Sequence, residues 1–373
     1  MGVYEDLGVT PVINAAGTVT RYGGSLMNQE IIDVMREASQ EFCVLDELHE
    51  QAGRRISQML DVEAAYVTAS AACGLVLTAA ACMAGTDPDK IAQLPDTDGM
   101  KHEVIIQKLH RIPYDQSIRL SGAKLVEIGD GKTAPAEELK QAINDTTAAI
   151  FYLANNKDHE AVVPFDETIA IAHAAAVPVI VDAASEAPPV ETLSRFTKEG
   201  ADLVIFSGGK SIMGPQSTGL VVGRKDLIAA IAANGVPFAT IGRPMKVSRE
   251  EIVAFIRALE LFLARDHEAD AARWNAQLEH IESVLSDLPQ VSLNRITKSD
   301  TYTVPLLAVK PDNDPDATNE AISDALLNGN PRIVVATHLS PDSLVINPHS
   351  LQPGQERAVA ERVREVISDV VKG

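Results

Sequence analysis

Lys210 stands in a run of small residues, Phe206-Ser207-Gly208-Gly209-Lys210-Ser211, between two apolar stretches. Leu203-Val204-Ile205 precedes it, and Gly219 to Gly223 follows it. A lysine in a glycine-rich loop between buried strands is neither a solvated surface lysine nor a helix-face lysine. The glycines let something bulky approach the backbone. An amine held among apolar strands is poorly hydrated, which lowers its pKa and makes it a nucleophile. Those are the requirements of a lysine that condenses with a carbonyl group.

Two further groups belong with it. Asp182 closes the apolar run Pro178-Val179-Ile180-Val181-Asp182, 28 residues before Lys210. Taken alone, it is read more economically as a loop-stabilising or helix-capping aspartate, and no clustered His or carboxylate spacing supports a metal. Ser70-Ala71-Ala72 opens an alanine-rich helix. Small residues at a helix start leave backbone N–H groups for an anion, and the helix dipole favours one there, although an ordinary serine cap is slightly preferred when the segment is taken alone. Together the three specify one ligand: an aldehyde for Lys210, a ring nitrogen for Asp182 and a phosphate for the Ser70 helix end. That ligand is pyridoxal 5'-phosphate. At roughly 4 Å and an effective dielectric near 20, a carboxylate beside a pyridinium gains on the order of 4 kcal/mol. That is about three pKa units, enough to fix the ring's protonation at neutral pH.

The elements that must position these groups alternate. Short apolar runs at Ala65-Thr68, Val104-Gln107, Leu125-Ile128, Ala148-Leu153, Val179-Asp182, Leu203-Ser207 and Gly219-Val222 are separated by helical stretches such as Pro135-Ile143, Thr168-Ala176 and Val190-Thr197. That pattern predicts an α/β fold: a mostly parallel seven-stranded sheet covered on both faces, with ligands beyond the carboxyl ends of its strands. Ser248-Arg249-Glu250-Glu251 opens a long helix running to about Leu288, with a capping-box start. A smaller α+β unit follows, with strands near Val304-Val309 and Ile333-Ala336, a loop at Asn313-Asp314-Pro315-Asp316 and a closing helix from about Pro353. The expected organisation is residues 1–40 packing with the small unit, 41–247 as the large cofactor-binding domain, and 248–373 as long helix and small domain.

Composition sets limits. The chain has 373 residues, enough for two domains, and its 46% hydrophobic content supports a sizeable core. A net charge of -20 disfavours broad nucleic-acid binding. Three cysteines, Cys43, Cys73 and Cys82, fit no zinc spacing and are read as buried reduced thiols of a cytoplasmic protein. In the uncharged stretch Ala64 to Gly85 the strong membrane formers are Val67, Leu75, Val76 and Leu77 and the rest is mainly alanine, with threonine, serine and glycine, so a buried strand and helix suit it better than a membrane span. The acidic start Met1-Gly2-Val3-Tyr4-Glu5-Asp6 is not a signal peptide. Gly129-Asp130-Gly131-Lys132-Thr133 lacks the upstream glycine of a phosphate loop, since position 126 is Val.

The segment from Asp202 through Lys210 to Gly219 resembles the cofactor-lysine region of the bacterial selenocysteine synthase-like family. This is a branch of the fold-type I pyridoxal-phosphate enzymes that includes D-glucosaminate-6-phosphate ammonia-lyase. Val12 to Val19, Gly122 to Gly129 and Ile241 to Val247 are similar to further segments of that family, so the resemblance covers most of the chain. It implies a large domain plus a smaller α+β domain and at least a homodimer. It implies Lys210 as the cofactor lysine and base for the substrate Cα proton, and Asp182 as partner of the ring nitrogen. Ser207 could reach the phosphate, and the ring of His110 either stacks on the cofactor or makes no contact. Arg243 is the first candidate for a substrate carboxylate or phosphate, Arg21 a second, while His349 and Arg332 read as structural. The true selenocysteine synthases carry an extra N-terminal tRNA-binding domain, whereas here the catalytic opening begins within the first dozen residues. With the acidic charge, tRNA is not expected as substrate.

Loss of a Cα proton leaves several outcomes open: α,β-elimination with release of ammonia, racemisation, transamination, or β-replacement of the selenium or sulfur type. The resemblance favours elimination on a polar amino acid or amino-sugar acid. A pyridoxal-phosphate-binding protein without catalysis is the remaining alternative.

Overall fold

The computed structural model describes residues 2–289, 291–299, 302–311, 319–337, 339–340 and 342–370. The chain forms two compact units, residues 27–264 and residues 1–26 with 265–373.

The larger unit is built on β1 (Ala64–Thr68), β2 (Glu103–Gln107), β3 (Lys124–Ile128), β4 (Thr147–Leu153), β5 (Val179–Asp182), β6 (Leu203–Ser207) and β7 (Gly219–Gly223). All seven predicted strands are present, each within a residue of its expected bounds. They form one sheet in the order β1-β7-β6-β5-β4-β2-β3. Strand β7 runs antiparallel to β1 and β6, and the remaining pairs are parallel. The carboxyl ends of the other six strands therefore share one edge with the start of β7. The inner strands are mostly apolar because both faces are covered, whereas edge strand β3 keeps Lys124 and Glu127 exposed. In β6, Val204 and Phe206 enter one core while Leu203 and Ile205 enter the other. The covering helices include α1 (Gln29–Ala38), α2 (Leu45–Leu60), α3 (Ala71–Ala84), α4 (Phe165–Ala174), α5 (Thr192–Lys198), α6 (Lys225–Asn234) and α7 (Arg249–Ala264). Helix α3 carries no charged residue and is almost wholly buried, as a helix sandwiched between sheet and outer helices must be.

Three expectations are corrected. The long helix beginning at Ser248 is two helices, α7 and α8 (His267–Leu285). Asp266 starts the second one, accepting from the Ala269 amide at 2.9 Å, and such a cap ends one helix as it begins the next. The predicted capping box at the first start is present: Ser248 Oγ accepts from the Glu251 amide at 3.2 Å, and Glu251 Oε2 accepts from the Ser248 amide at 2.9 Å. Residues 27–40 belong to the larger unit, where α1 lies against α7. Cys43 is not buried but exposed, in the segment between α1 and α2, while Cys73 and Cys82 are half-buried and all three are free.

The smaller unit holds a three-stranded antiparallel sheet, Leu344–Ile346 beside Tyr302–Pro311 beside Val291–Ser299. Ile13–Ala15 pairs in parallel with Ile333–Val335, and a closing helix runs from Gln355 to Val370. The loop expected at residues 313–316 lies outside the described residues.

Candidate active site

Sheet register gathers the sequence-predicted groups on the carboxyl edge of the larger unit. Thr68 at the end of β1 pairs with Gly219, and Gly219 pairs with Ser207 at the end of β6. Asp182 at the end of β5 pairs with Ile205 of β6 on one side and Leu153 of β4 on the other.

Ser70 is the N-cap of α3, its hydroxyl accepting from the Cys73 amide at 3.0 Å. Thr68 Oγ1 donates to the Ser70 carbonyl at 2.8 Å, which pins the turn between strand and helix. The amides of Ala71 and Ala72 belong to the first turn, where an α-helix has no internal acceptor for them. Gly219 fits this turn against β7. A Cβ there would lie 2.4 Å from the Ser70 carbonyl carbon and 2.6 Å from the Ala71 nitrogen, so only glycine allows the approach.

Lys210 is half-buried in the turn that leaves β6. The turn folds on itself: Gly208 and Gly214 are joined by an amide-to-carbonyl bond of 2.8 Å, and the Gly208 amide donates to the Thr218 carbonyl at 2.9 Å. A side chain at Gly209 would meet the Gln216 backbone at 2.4 Å, which explains the glycine before the lysine. Ser207 and Lys210 line one small cavity with Ala183, Phe206 and Ser211.

Asp182 is 6% exposed, and its Oδ1 accepts from the Ala184 amide at 3.0 Å. Burial pushes its carboxyl above the usual carboxylate range, while the Ala184 amide and the charge of Lys210 pull it back. Asp182 and Lys210 thus sense each other electrostatically. His110 is fully buried in the turn after β2. Its Nδ1 accepts from the Leu153 amide at 3.4 Å, one strand from Asp182, and its ring meets Tyr152 edge-on at 4.5 Å. Burial pushes its pKa down to about 3, so the ring is neutral. Its Nε2 is buried with no hydrogen-bond partner among the described residues.

The remaining candidates lie elsewhere. Arg243 is exposed and lines a cavity of about 670 Å³ with Cys43, Pro237, Lys246 and Arg249, which does not include Lys210. Arg21 is exposed in the smaller unit. Arg332 clips backbone there, donating to the Leu327 and Thr10 carbonyls at 2.8 and 3.3 Å. His349 is buried, with Nδ1 3.3 Å from the Tyr302 hydroxyl and its ring edge-on to Trp274. Burial, then Arg265 and Arg273, push its pKa down to about 3. A cavity of about 580 Å³ beside His49 and Tyr66 contains none of the singled-out residues.

Sequence reasoning missed Glu186 and Asn156. Glu186 is 1% exposed and lines the Lys210 cavity. Its signal is a carboxylate in the apolar run Ala183-Ala184-Ser185-Glu186-Ala187-Pro188, where a charge has no solvent. Asn156, just after β4, donates to the Leu109 carbonyl at 2.7 Å and ties the His110 turn in place.

These residues fit pyridoxal phosphate on three observations. Asp182 is a buried acid suited to a cationic ring nitrogen, His110 has a buried nitrogen without a partner, and a helix start is clasped by a glycine that a Cβ would displace.

A family model described as SelA, L-seryl-tRNA selenium transferase, matches residues 12–285. The chain is 32% identical to a 5'-C-glycyluridine monooxygenase-decarboxylase of Streptomyces sp., over 98% of this chain and 92% of that protein. It is 34% identical to a D-glucosaminate-6-phosphate ammonia lyase of Salmonella typhimurium, over 76% of this chain and 75% of that protein. A solved structure of a D-glucosaminate-6-phosphate ammonia-lyase superposes over 100% of this chain and 99% of its own, with a TM-score of 0.83 and 28% identity. A serine palmitoyltransferase from S. paucimobilis with bound PLP shares the fold, at a TM-score of 0.62 and 13% identity over 96% of this chain and 88% of its own. The chain therefore belongs to the L-seryl-tRNA selenium transferase family, as a fold-type I pyridoxal-phosphate-dependent enzyme of lyase or transferase chemistry.

Proposed function

We propose that this enzyme removes the Cα proton of an amino acid or amino-sugar acid and eliminates a β-substituent, releasing ammonia and a 2-keto acid. The observation that carries this reading is the register that sets a buried acid beside the lysine turn: Asp182 ends β5 paired with Ile205 of β6, and Lys210 lies in the turn that leaves β6. When bound, pyridoxal phosphate supplies an aldehyde carbon for Lys210 and a ring that accepts the negative charge developing at the substrate's Cα. Asp182 keeps a proton at the ring nitrogen. The Ala71 and Ala72 amides, with the Ser70 and Ser207 hydroxyls, hold the phosphate at the helix start. His110, neutral and buried, would offer the cofactor an uncharged ring. Lys210 Nζ takes the Cα proton as a positioned base, typically worth about 10² to 10⁴ in rate.

Arg243, which does not line the Lys210 cavity of its own chain, is the proposed anion-binding group for the substrate across a subunit interface, through the bidentate geometry a guanidinium offers. We assign the working form as a cytoplasmic homodimer or multiple of dimers. Exposed apolar side chains on the larger unit support it: Phe42 is 96% exposed, Val44 64% and Phe238 49%. The ammonia-lyase relative supports a phosphorylated amino-sugar acid as substrate.

A second reading rests on the other relative, which matches along nearly the whole chain. In it, a glycyl-substituted nucleoside loses CO₂ with consumption of O₂. Incubation with D-glucosaminate 6-phosphate, serine and 5'-C-glycyluridine separates the two. Ammonia and 2-keto acid from either of the first two substrates support the elimination. Oxygen uptake and CO₂ from the third, with no ammonia from the others, overturns it in favour of the second reading.

A further inference from the structure

The loop after Asp182 carries a second carboxylate, Glu186, which is 1% exposed. Ser185 Oγ donates to Glu186 Oε1 at 3.0 Å. The loop is fastened to the lysine turn, because Ser211 Oγ donates to the Ala187 carbonyl at 2.5 Å. Glu186, Ser207, Lys210 and Ser211 line the same small cavity. The titratable groups lining the cavity are Glu186 from one loop and Lys210 from the other, and Asp182 at the end of β5 acts on them from outside it. Helix α5 contributes only Leu193 to the cavity, and β6 contributes Phe206 and Ser207. The charge of Glu186 opposes ionisation of Asp182, whereas that of Lys210 favours it.

One acid, Glu186, and one amine, Lys210, thus share a small cavity, and Asp182 lies just before the loop that lines it. A buried carboxylate is costly without a cation or a proton nearby. In the function proposed above, Asp182 serves the ring nitrogen of the cofactor. The cation that shares the cavity with Glu186 is the ammonium of Lys210.

We propose that Glu186 is a positioning residue for Lys210: it orients the amine and stabilises the ammonium formed when the Cα proton arrives. In that step the substrate Cα–H bond breaks, its electron pair stays with carbon, and a new N–H bond forms on Lys210 Nζ. Glu186 takes no proton itself. Its negative charge makes the amine a stronger base. This inference rests on the role proposed for Lys210.

The test compares Glu186→Gln, Glu186→Ala and Glu186→Asp with the wild type by two readouts. In the cofactor-free full chain, the rate at which acetic anhydride acylates Lys210 is followed against pH by peptide mass spectrometry. Loss of the neighbouring negative charge moves the Lys210 titration down by about one pH unit in both Glu186→Gln and Glu186→Ala, a roughly tenfold change in the free-amine ratio. In the holoenzyme, kcat falls about 10- to 100-fold and the acid limb of its pH profile moves down in step. Glu186→Asp keeps the charge and recovers most of both. Cofactor content stays near the wild-type level in all three, because the Asp182 side chain and the phosphate site remain in place and loss of the Glu186 charge only favours the ionised form of Asp182. An unmoved Lys210 titration in whichever neutral variant folds overturns the proposal. Failure of the wild-type chain to take up pyridoxal phosphate would instead overturn the proposed function, and the acylation readout is independent of it.

Discussion

The Ser211 hydroxyl donates to the Ala187 carbonyl at 2.5 Å, so the turn that carries Lys210 is bonded to the loop that carries Asp182 and Glu186. Sheet register alone brings β5 and β6 together. This bond fixes the separation of the two loops that leave those strands, and Ser211 is buried, so the bond is shielded from water.

Ser211→Ala is expected to cost about 1–3 kcal/mol of stability, because it leaves a carbonyl without its donor. Urea unfolding measures this. KM for the substrate should rise with it, since the lysine turn then moves independently of the acid.

Gly219→Ala tests the helix start. The added methyl falls against Ser70 and Ala71 backbone, which cannot yield as a flexible side chain would. Overpacking of this kind costs about 1–3 kcal/mol, and at 1.4 kcal/mol per decade pyridoxal phosphate binding weakens about tenfold or more. An absorption titration of the cofactor-free variant reads the shift.

Asp182→Asn separates stability from function. The native carboxyl is raised by burial, so the folded chain holds its proton to higher pH than the unfolded chain does. That burial penalty is absent below the ordinary carboxylate value near 4 and grows as pH rises through the raised value. The cofactor-free asparagine variant is therefore expected to be more stable than wild type at neutral pH, with the advantage vanishing in acid. Its activity should fall by about 10² or more, because the ring nitrogen loses its partner. Thermal unfolding across pH, beside a turnover assay, checks both halves.

His110 supplies an acid-side prediction. Its folded pKa near 3 lies below the unfolded value of about 6.5, so the unfolded chain binds the extra proton. Stability is therefore lost as pH falls from about 6.5 towards 3, and His110→Phe should flatten that loss. Above pH 5, His110 contributes no limb to the activity profile. His110→Phe should keep more cofactor affinity than His110→Ala, since a ring remains.

The seven strands were legible because each is built on a short apolar run; burial on both faces leaves little polar alternation in six of them, while edge strand β3 keeps Lys124 and Glu127 exposed. Lys210, Asp182 and Ser70 were legible for the same reason: each is polar at the end of such a run. The helix break at Asp266 was not, because the sequence on either side keeps a helical pattern and only the side-chain cap reveals the stop. Residues 27–40 look like the start of a small domain until α1 is seen on α7. Glu186 carried only a faint signal, a carboxylate among small and apolar neighbours; a glutamate in a loop normally reaches water, and its 1% exposure is what singles it out. Arg243 shows the opposite limit: Gly242 and Pro244 suggest a shaped loop, but the cavity it lines excludes Lys210.

The most direct test of the central claim is to load the purified chain with pyridoxal phosphate, reduce it with borohydride and map the modified peptide by mass spectrometry. The label is expected on Lys210 alone, with no incorporation and no turnover in Lys210→Ala. Label on another lysine, or an active and coloured Lys210→Ala protein, would contradict the account.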